Sequence, residues 1–128
     1  MMSSGRFLTP LHLQDVDGQQ WILLTPLVYR TRAWRLITVP AGFETDFASI
    51  PRGLWNILPK HGRQDKAAVL HDYLYVHNGV TRAEADALFR EAMEAEGVGR
   101  VARNAMYLGV RIGGGRTWDR YRAAEHTT

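Results

Sequence analysis

Two short stretches carry the side chains that could do chemistry. The first, Pro40-Ala41-Gly42-Phe43-Glu44-Thr45-Asp46-Phe47-Ala48-Ser49-Ile50-Pro51, presents Thr45, Asp46 and Ser49 as oxygen ligands or hydrogen-bonding groups, with Phe43, Phe47 and Ile50 as anchors to hold them still. The second, His71-Asp72-Tyr73-Leu74-Tyr75, sets an imidazole beside a carboxylate. Asp86 is a third focus, because Phe89 and Met93 follow it at i+3 and i+7 and place it next to an apolar helix face, where an unpaired carboxylate is costly. If Asp46, His71 and Asp86 converge, they form a ligand set for a divalent metal such as zinc, manganese or magnesium. Asp72 would then orient the imidazole or act as base on a bound water. Ser49 is a candidate nucleophile only through a tertiary contact with His71, since no G-x-S-x-G elbow surrounds it.

Each of these residues also has a plainer reading. Thr45, Asp46 and Ser49 are common caps of turns and of helices beginning near Ile50. Neighbours on a helix diverge by about a hundred degrees, so His71 and Asp72 cannot both aim directly at one point of the core, and a solvated Asp72 beside a carbonyl-bonded His71 fits as well. Tyr75 shares a side with His71 at i,i+4 and with Asp72 at i,i+3. For Asp86, Arg82 and Arg90 at i−4 and i+4 offer intrahelical ion pairs.

The elements that must position these groups fall into two halves. Pro40 and Pro51 bracket the first stretch and Gly42 allows a tight turn, so it reads as a structured loop. Before it, Phe7–Leu13 and Gln20–Tyr29 read as strands joined through Asp15-Val16-Asp17-Gly18, with Trp21 to Leu24 buried on both faces and Pro26 at a bend. Trp34–Val39 reads as a third strand. Arg52 to Pro59 reads as an apolar turn or short helix. Gln64 to His77 follows a helical pattern ended by Asn78-Gly79, with Gly79 suited to the left-handed position. Thr81-Arg82-Ala83-Glu84 is a capping box that opens a second helix to about Glu96, with Ala85, Leu88, Phe89, Ala92 and Met93 inward. A third helix over about Val98 to Arg111 has Val101, Ala105, Leu108 and Ile112 as its inward series, and Gly113-Gly114-Gly115 breaks it. Trp118 and Tyr121 follow in a stretch that fades into a polar tail. Strands first and helices second point to an α+β fold, a small N-terminal antiparallel sheet packed with about three C-terminal helices.

With 45% hydrophobic and 23% charged residues in 128, the chain reads as one globular domain across 1–128, mobile at about 1–6 and 122–128. The absence of cysteine excludes disulfides and thiolate zinc sites. No secretory signal opens the chain, and its apolar runs are far too short for a membrane span. The net charge of +3 is small enough to read first as a solvated face, so nucleic acid is not the expected partner.

Taken together, Pro40-x-Gly42-Phe43-x-Thr45-Asp46-Phe47-Ala48-Ser49-Ile50-Pro51, then Ala68-Val69-Leu70-His71-Asp72-Tyr73-Leu74-Tyr75, then Arg82-x-x-Ala85-Asp86-x-x-Phe89 resemble the small phage and prophage proteins catalogued as domain of unknown function 1353. The resemblance runs from about Val39 to Trp118. It implies a phage or prophage origin, a late, tail or lysis function, and a location in the host cytoplasm or virion. Its polar positions fall on Thr45, Asp46, Ser49, His71, Asp72, Arg82 and Asp86. The His-Asp step with a later Asp is also similar to the metal phosphohydrolases named for that step, with His61 as the upstream histidine, although that class rests on a larger, all-helical scaffold.

Two functions follow as expectations. One is a metal-dependent hydrolase acting on cell-wall peptide, glycan or nucleotide phosphate. The other is a non-enzymatic virion or tail-assembly component contacting other phage structural proteins, in which the same cluster is a structural hydrogen-bond network. A regulator binding nucleic acid or a host protein through Arg100 to Arg122 has less support. Exposure decides between the first two: an open cleft with unsatisfied lone pairs favours an enzyme, and a sealed, mutually bonded cluster favours a network. Trp34, Trp55, Trp118 and Tyr121 are candidate interface anchors.

Overall fold

The computed structural model describes residues 4–56 and 62–125. His61 and the end of the expected turn, Ile57 to Pro59, lie outside the described residues. The order of elements is β1 (Arg6–Phe7), β2 (Leu13–Asp15), β3 (Trp21–Leu23), β4 (Leu27–Arg30), β5 (Leu36–Val39) and β6 (Glu44–Thr45), then a 3-10 turn (Arg52–Asn56), then α1 (Asp65–His77), α2 (Arg82–Ala95), α3 (Arg100–Gly113) and α4 (Gly115–Glu125). Strands precede helices, and the fold is α+β as expected, with four helices among the described residues where about three were expected. None of these helices is long and apolar enough to cross a membrane.

The expected long hairpin is instead two small antiparallel sheets, β1-β4-β5 and β2-β3-β6. Its tip forms as read: Gly18 takes φ 82, Asp15 accepts from its N–H, and Asp17 accepts from the N–H groups of Gln19 and Gln20. Below the tip, Leu13 pairs with Leu23 and Asp15 with Trp21. Pro26 then divides the second strand, since it has no N–H to give a ladder. Thr9 fills that gap, donating to the Pro26 carbonyl and accepting from the Val28 N–H, and the chain passes into the other sheet. The run Trp21 to Leu24 is therefore not buried on both faces: Leu23 is buried, while Leu24 is half exposed at 51%. Trp34 also lies outside its expected strand. It occupies a left-handed turn with φ 66, its ring exposed under the Arg30 guanidinium.

Strand β6 carries the fold's main consequence for the site. By pairing with β3, Trp21 opposite Thr45, it brings the 40–51 loop back across the sheet and against the helices. Gly42 turns the chain with φ 90, its N–H donating to the Leu23 carbonyl. Phe43 meets Tyr73 of α1 edge to face at 5.4 Å.

Helix α1 runs through the middle of the helical half, so nearly every residue from Ala67 to Tyr75 is buried. It ends at Asn78, which holds the left-handed conformation that the sequence suggested for Gly79, with φ 56 and ψ 37. Asn takes this conformation at low cost, which explains the substitution of roles. Helix α2 opens with the expected capping box, Thr81 accepting from the Glu84 N–H and Glu84 reaching back to Thr81. It buries Ala85, Asp86, Phe89, Ala92 and Met93, and ends before Gly97 at φ 81. The Tyr29 hydroxyl donates to Glu91, joining β4 to α2, and burial together with that carboxylate pushes the phenol pKa up.

The phase of α3 differs from the expected one. Met106 and Val110 face inward, whereas Val101, Leu108 and Ile112 are exposed at 85%, 57% and 86% and Ala105 is partly covered. The reason lies in two glycines. A Cβ at Gly109 would strike Leu54, and one at Gly113 would lie 2.8 Å from the Pro51 ring, so this side of α3 accepts the loop and turn because it is bare. The glycine run does not end the helical region either. Gly114 joins α3 to α4, and Trp118 of α4 packs edge to face on Tyr75 at 5.1 Å.

Thr81→Ala removes the cap of the helix that carries Asp86 and should lower stability by about 1 kcal/mol. Chemical denaturation checks this, with Glu84→Ala giving a smaller loss.

Candidate functional site

Asp86 is the hub. Its position on α2 points its carboxylate between α1 and α3, where it has no exposed surface. Oδ1 accepts from the His71 ring at 2.7 Å and from the Tyr75 hydroxyl at 2.7 Å; Oδ2 accepts from Arg111 Nη1 at 2.8 Å. Arg82, one turn earlier on α2, stands 3.6 Å from Oδ2 and also donates to the carbonyls of Val110 and Arg111. Burial pushes the Asp86 carboxyl up, but the donors from His71, Tyr75 and Arg111 together outweigh it and hold the group below its ordinary value. It is a carboxylate at neutral pH.

An ionised carboxylate can only accept, so the proton between it and His71 sits on Nε2. Burial holds the imidazole pKa below its ordinary value against the pull of Asp86, which keeps the ring neutral and leaves Nδ1 as an acceptor. Ser49 Oγ fills that role at 3.0 Å, donating its hydroxyl proton. Tyr75 and Phe89 pack on the ring at centroid distances of 4.3 and 4.6 Å. Both nitrogens of His71 are thereby occupied by protein groups.

From Ser49 the network continues into the loop. The Ser49 N–H donates to Asp72 Oδ1 at 3.3 Å, and Thr45 Oγ1 donates to Asp72 Oδ2 at 2.7 Å. Asp72 is thus buried rather than solvated, and burial raises its carboxyl pKa despite the bonds from Thr45 and Ser49. Thr45 Oγ1 in turn accepts from the Phe47 N–H at 3.1 Å, holding Phe47 at φ 58, a conformation that bulky residues rarely adopt. Helix α4 closes the loop from outside: Thr117 Oγ1 donates to the Ala48 carbonyl at 3.3 Å. Tyr121 lies close enough to Asp72 and Asp46 that burial, then their charges, push its phenol up to about 12.

Of the residues named from the sequence, Ser49, His71, Asp72 and Asp86 join one network, together with Thr45 and Arg82. Asp46, the third expected metal ligand, is exposed and does not join it. Its Oδ1 accepts from the Ala48 N–H at 2.9 Å, the local turn role that competes with ligation for such a side chain. Among the described residues no group of three or more His, Cys, Asp or Glu side chains is placed to hold zinc, manganese or magnesium. A surface hollow of about 550 Å³, lined by Thr81, Arg82, Trp118 and Arg122 among others, approaches the network through Arg82. Arg90 bonds Asn104 instead of Asp86. Arg111 and Thr117 were not foreseen, because the misphased α3 hid the first and the tail reading hid the second.

Gly114 matters to the hub as well. A Cβ there would come within 2.5 Å of the Tyr75 hydroxyl, so only glycine leaves room for the Tyr75 to Asp86 bond.

Comparison with known proteins adds three findings. A family model described as "Protein of unknown function (DUF1353)" matches residues 21–110. A curated relative, "Uncharacterized protein y4jT" from Sinorhizobium fredii, is 38% identical over 74 residues, covering 56% of this chain and 22% of that protein, so the chain spans about a fifth of its length. No solved structure matches.

Asp86→Ala leaves a buried imidazole, a phenol and Arg111 without their acceptor, and should cost about 3–5 kcal/mol, visible as a melting point lower by on the order of 10 °C. The pH dependence follows from His71. With a lowered pKa, the folded chain refuses a proton that the unfolded chain accepts, so stability falls as pH drops below 6.5, by at most about 1.4 kcal/mol per pH unit. Asp72, with a raised pKa, works with the opposite sign above its ordinary 3.8. Melting curves between pH 7.5 and about 5.5 should show the wild type losing stability and His71→Gln losing clearly less.

Proposed function

The match over residues 21–110 places the chain in the DUF1353 family, and for this member we propose a non-enzymatic role as a component of a phage or prophage particle or of its tail assembly. The observation that carries this reading is closure. Ser49, His71 and Asp86 expose no surface, and both imidazole nitrogens are bonded within the protein. A catalytic imidazole must exchange a proton with a substrate, and a metal ligand must offer a free lone pair. His71 has neither free. Its network instead does what a buried polar network does well, fixing one loop in one register against three helices. The phage setting rests on the resemblance of the Thr45–Pro51 and His71–Tyr75 motifs to small phage and prophage proteins.

One observation favours a hydrolase as the second reading. Ser49, His71 and Asp86 stand in the order of nucleophile, base and orienting acid, at 3.0 and 2.7 Å, with the two ring nitrogens exchanged relative to the serine-protease arrangement. Opening the loop would expose Ser49.

Two measurements separate the readings. Purified protein should carry no stoichiometric zinc, manganese or magnesium and should not react with a fluorophosphonate probe, while Ser49→Ala melts at a lower temperature; mass spectrometry of purified particles of the encoding phage should find the chain. Near-stoichiometric metal that is lost in a folded His71→Ala variant, or probe labelling at Ser49, would overturn the non-enzymatic reading.

A further inference from the structure

We propose that the outward face of α3 is a docking surface for an amphipathic helix of another protein, one that carries acidic residues beside its apolar seam. Val101, Ala105, Leu108 and Ile112 follow one another at steps of four, three and four, the spacing of the narrow seam along which two helices pair. Single exposed apolar residues are ordinary on a protein surface, but here the seam runs along the whole helix. Val101 and Ile112, at its two ends, are the most open, at 85% and 86%. The helix has its inward anchor already in Met106 and Val110, so the seam is not needed to hold α3 in place. At 1.5 Å per residue the 14 residues of α3 offer about 21 Å of seam, enough to cover two heptads of a partner.

The charges choose the occupant. Helix α3 carries Arg100, Arg103 and Arg111 and no acidic residue, and Arg52 and Arg116, both exposed, follow the Pro51 and Gly113 contact at its end. Arg103 and Arg111 are turned to the Val98 carbonyl and to Asp86, so the cations that face a partner are the exposed Arg100, Arg52 and Arg116. A second copy of this chain would present the same arginines and no carboxylate on its own α3, setting like charges along the seam. A lipid surface calls for a broad apolar face, and this stripe is one residue wide and holds no Phe or Trp. An acidic helix answers both the seam and the flanks.

The probe is a fluorescein-labelled synthetic peptide of three heptads with leucine at the seam and glutamate beside it, titrated with the full chain and followed by anisotropy. Saturable binding is expected, weakened at least tenfold by Val101→Gln with Ile112→Gln and at least tenfold for the same peptide with lysine in place of glutamate. The double variant should melt with the wild type, because both side chains are open to water. The proposal is overturned by no saturable binding, by equal binding of the lysine peptide, by a dimer in sedimentation that the double variant abolishes, or by uptake onto phosphatidylglycerol vesicles that the double variant abolishes.

Discussion

A carboxylate stripped of water is stable only if enough donors replace the water it lost, and the packing around Asp86 is arranged by that demand. His71 and Tyr75 come from α1, Arg111 from the end of α3, and Arg82 from α2 itself. Several other features of the helical half follow from supplying these donors. The tilted rings of Tyr75 and Phe89 enclose the imidazole, glycine stands where Tyr75 needs space, and Arg82 caps the carbonyls at the end of α3 while it faces Asp86.

The loop is held to this hub by a relay in which each polar group serves two neighbours. Thr45 accepts from the Phe47 N–H and donates to Asp72; Ser49 donates its N–H to Asp72 and its hydroxyl to His71. The left-handed backbone at Phe47 costs on the order of 1–3 kcal/mol by itself, and it is maintained because the surrounding bonds over-determine it. Prolines at both ends, the β6 pairing and the Thr117 contact limit the ways in which the loop could relax. An aspartate at 72 with a raised pKa is the weaker part of the arrangement, since hydroxyl and amide donors from Thr45 and Ser49 only partly offset its burial.

Much of this was readable in the residues where chemistry is local. The Thr81 capping box, the Asp-Gly turn at Gly18, the inward face of α2 and the partnership of Asp86 with Arg82 depend on near neighbours, and all appear. The family shown by the match to residues 21–110 agrees with the resemblance of the loop and His-Asp motifs. What was not readable depended on distant neighbours. The phase of α3 was set by Leu54 and Pro51 entering glycine gaps, which periodicity counted as empty positions. The split of the first hairpin turned on one Thr9 hydroxyl covering for Pro26. For Asp46 the local turn was the stronger competitor, and for Asp72 burial came from β6 and α4, elements far away in the chain.

The convergence on Asp86 also bears on the order of events in folding. Its donors lie on three different helices, so the carboxylate keeps its water until α1, α2 and α3 have all docked, and gives it up in one of the last steps. Interactions made after the folding barrier do little to speed folding but must be broken before the chain can open, so they slow unfolding. The hub therefore adds to the lifetime of the native state more than to the rate at which it forms.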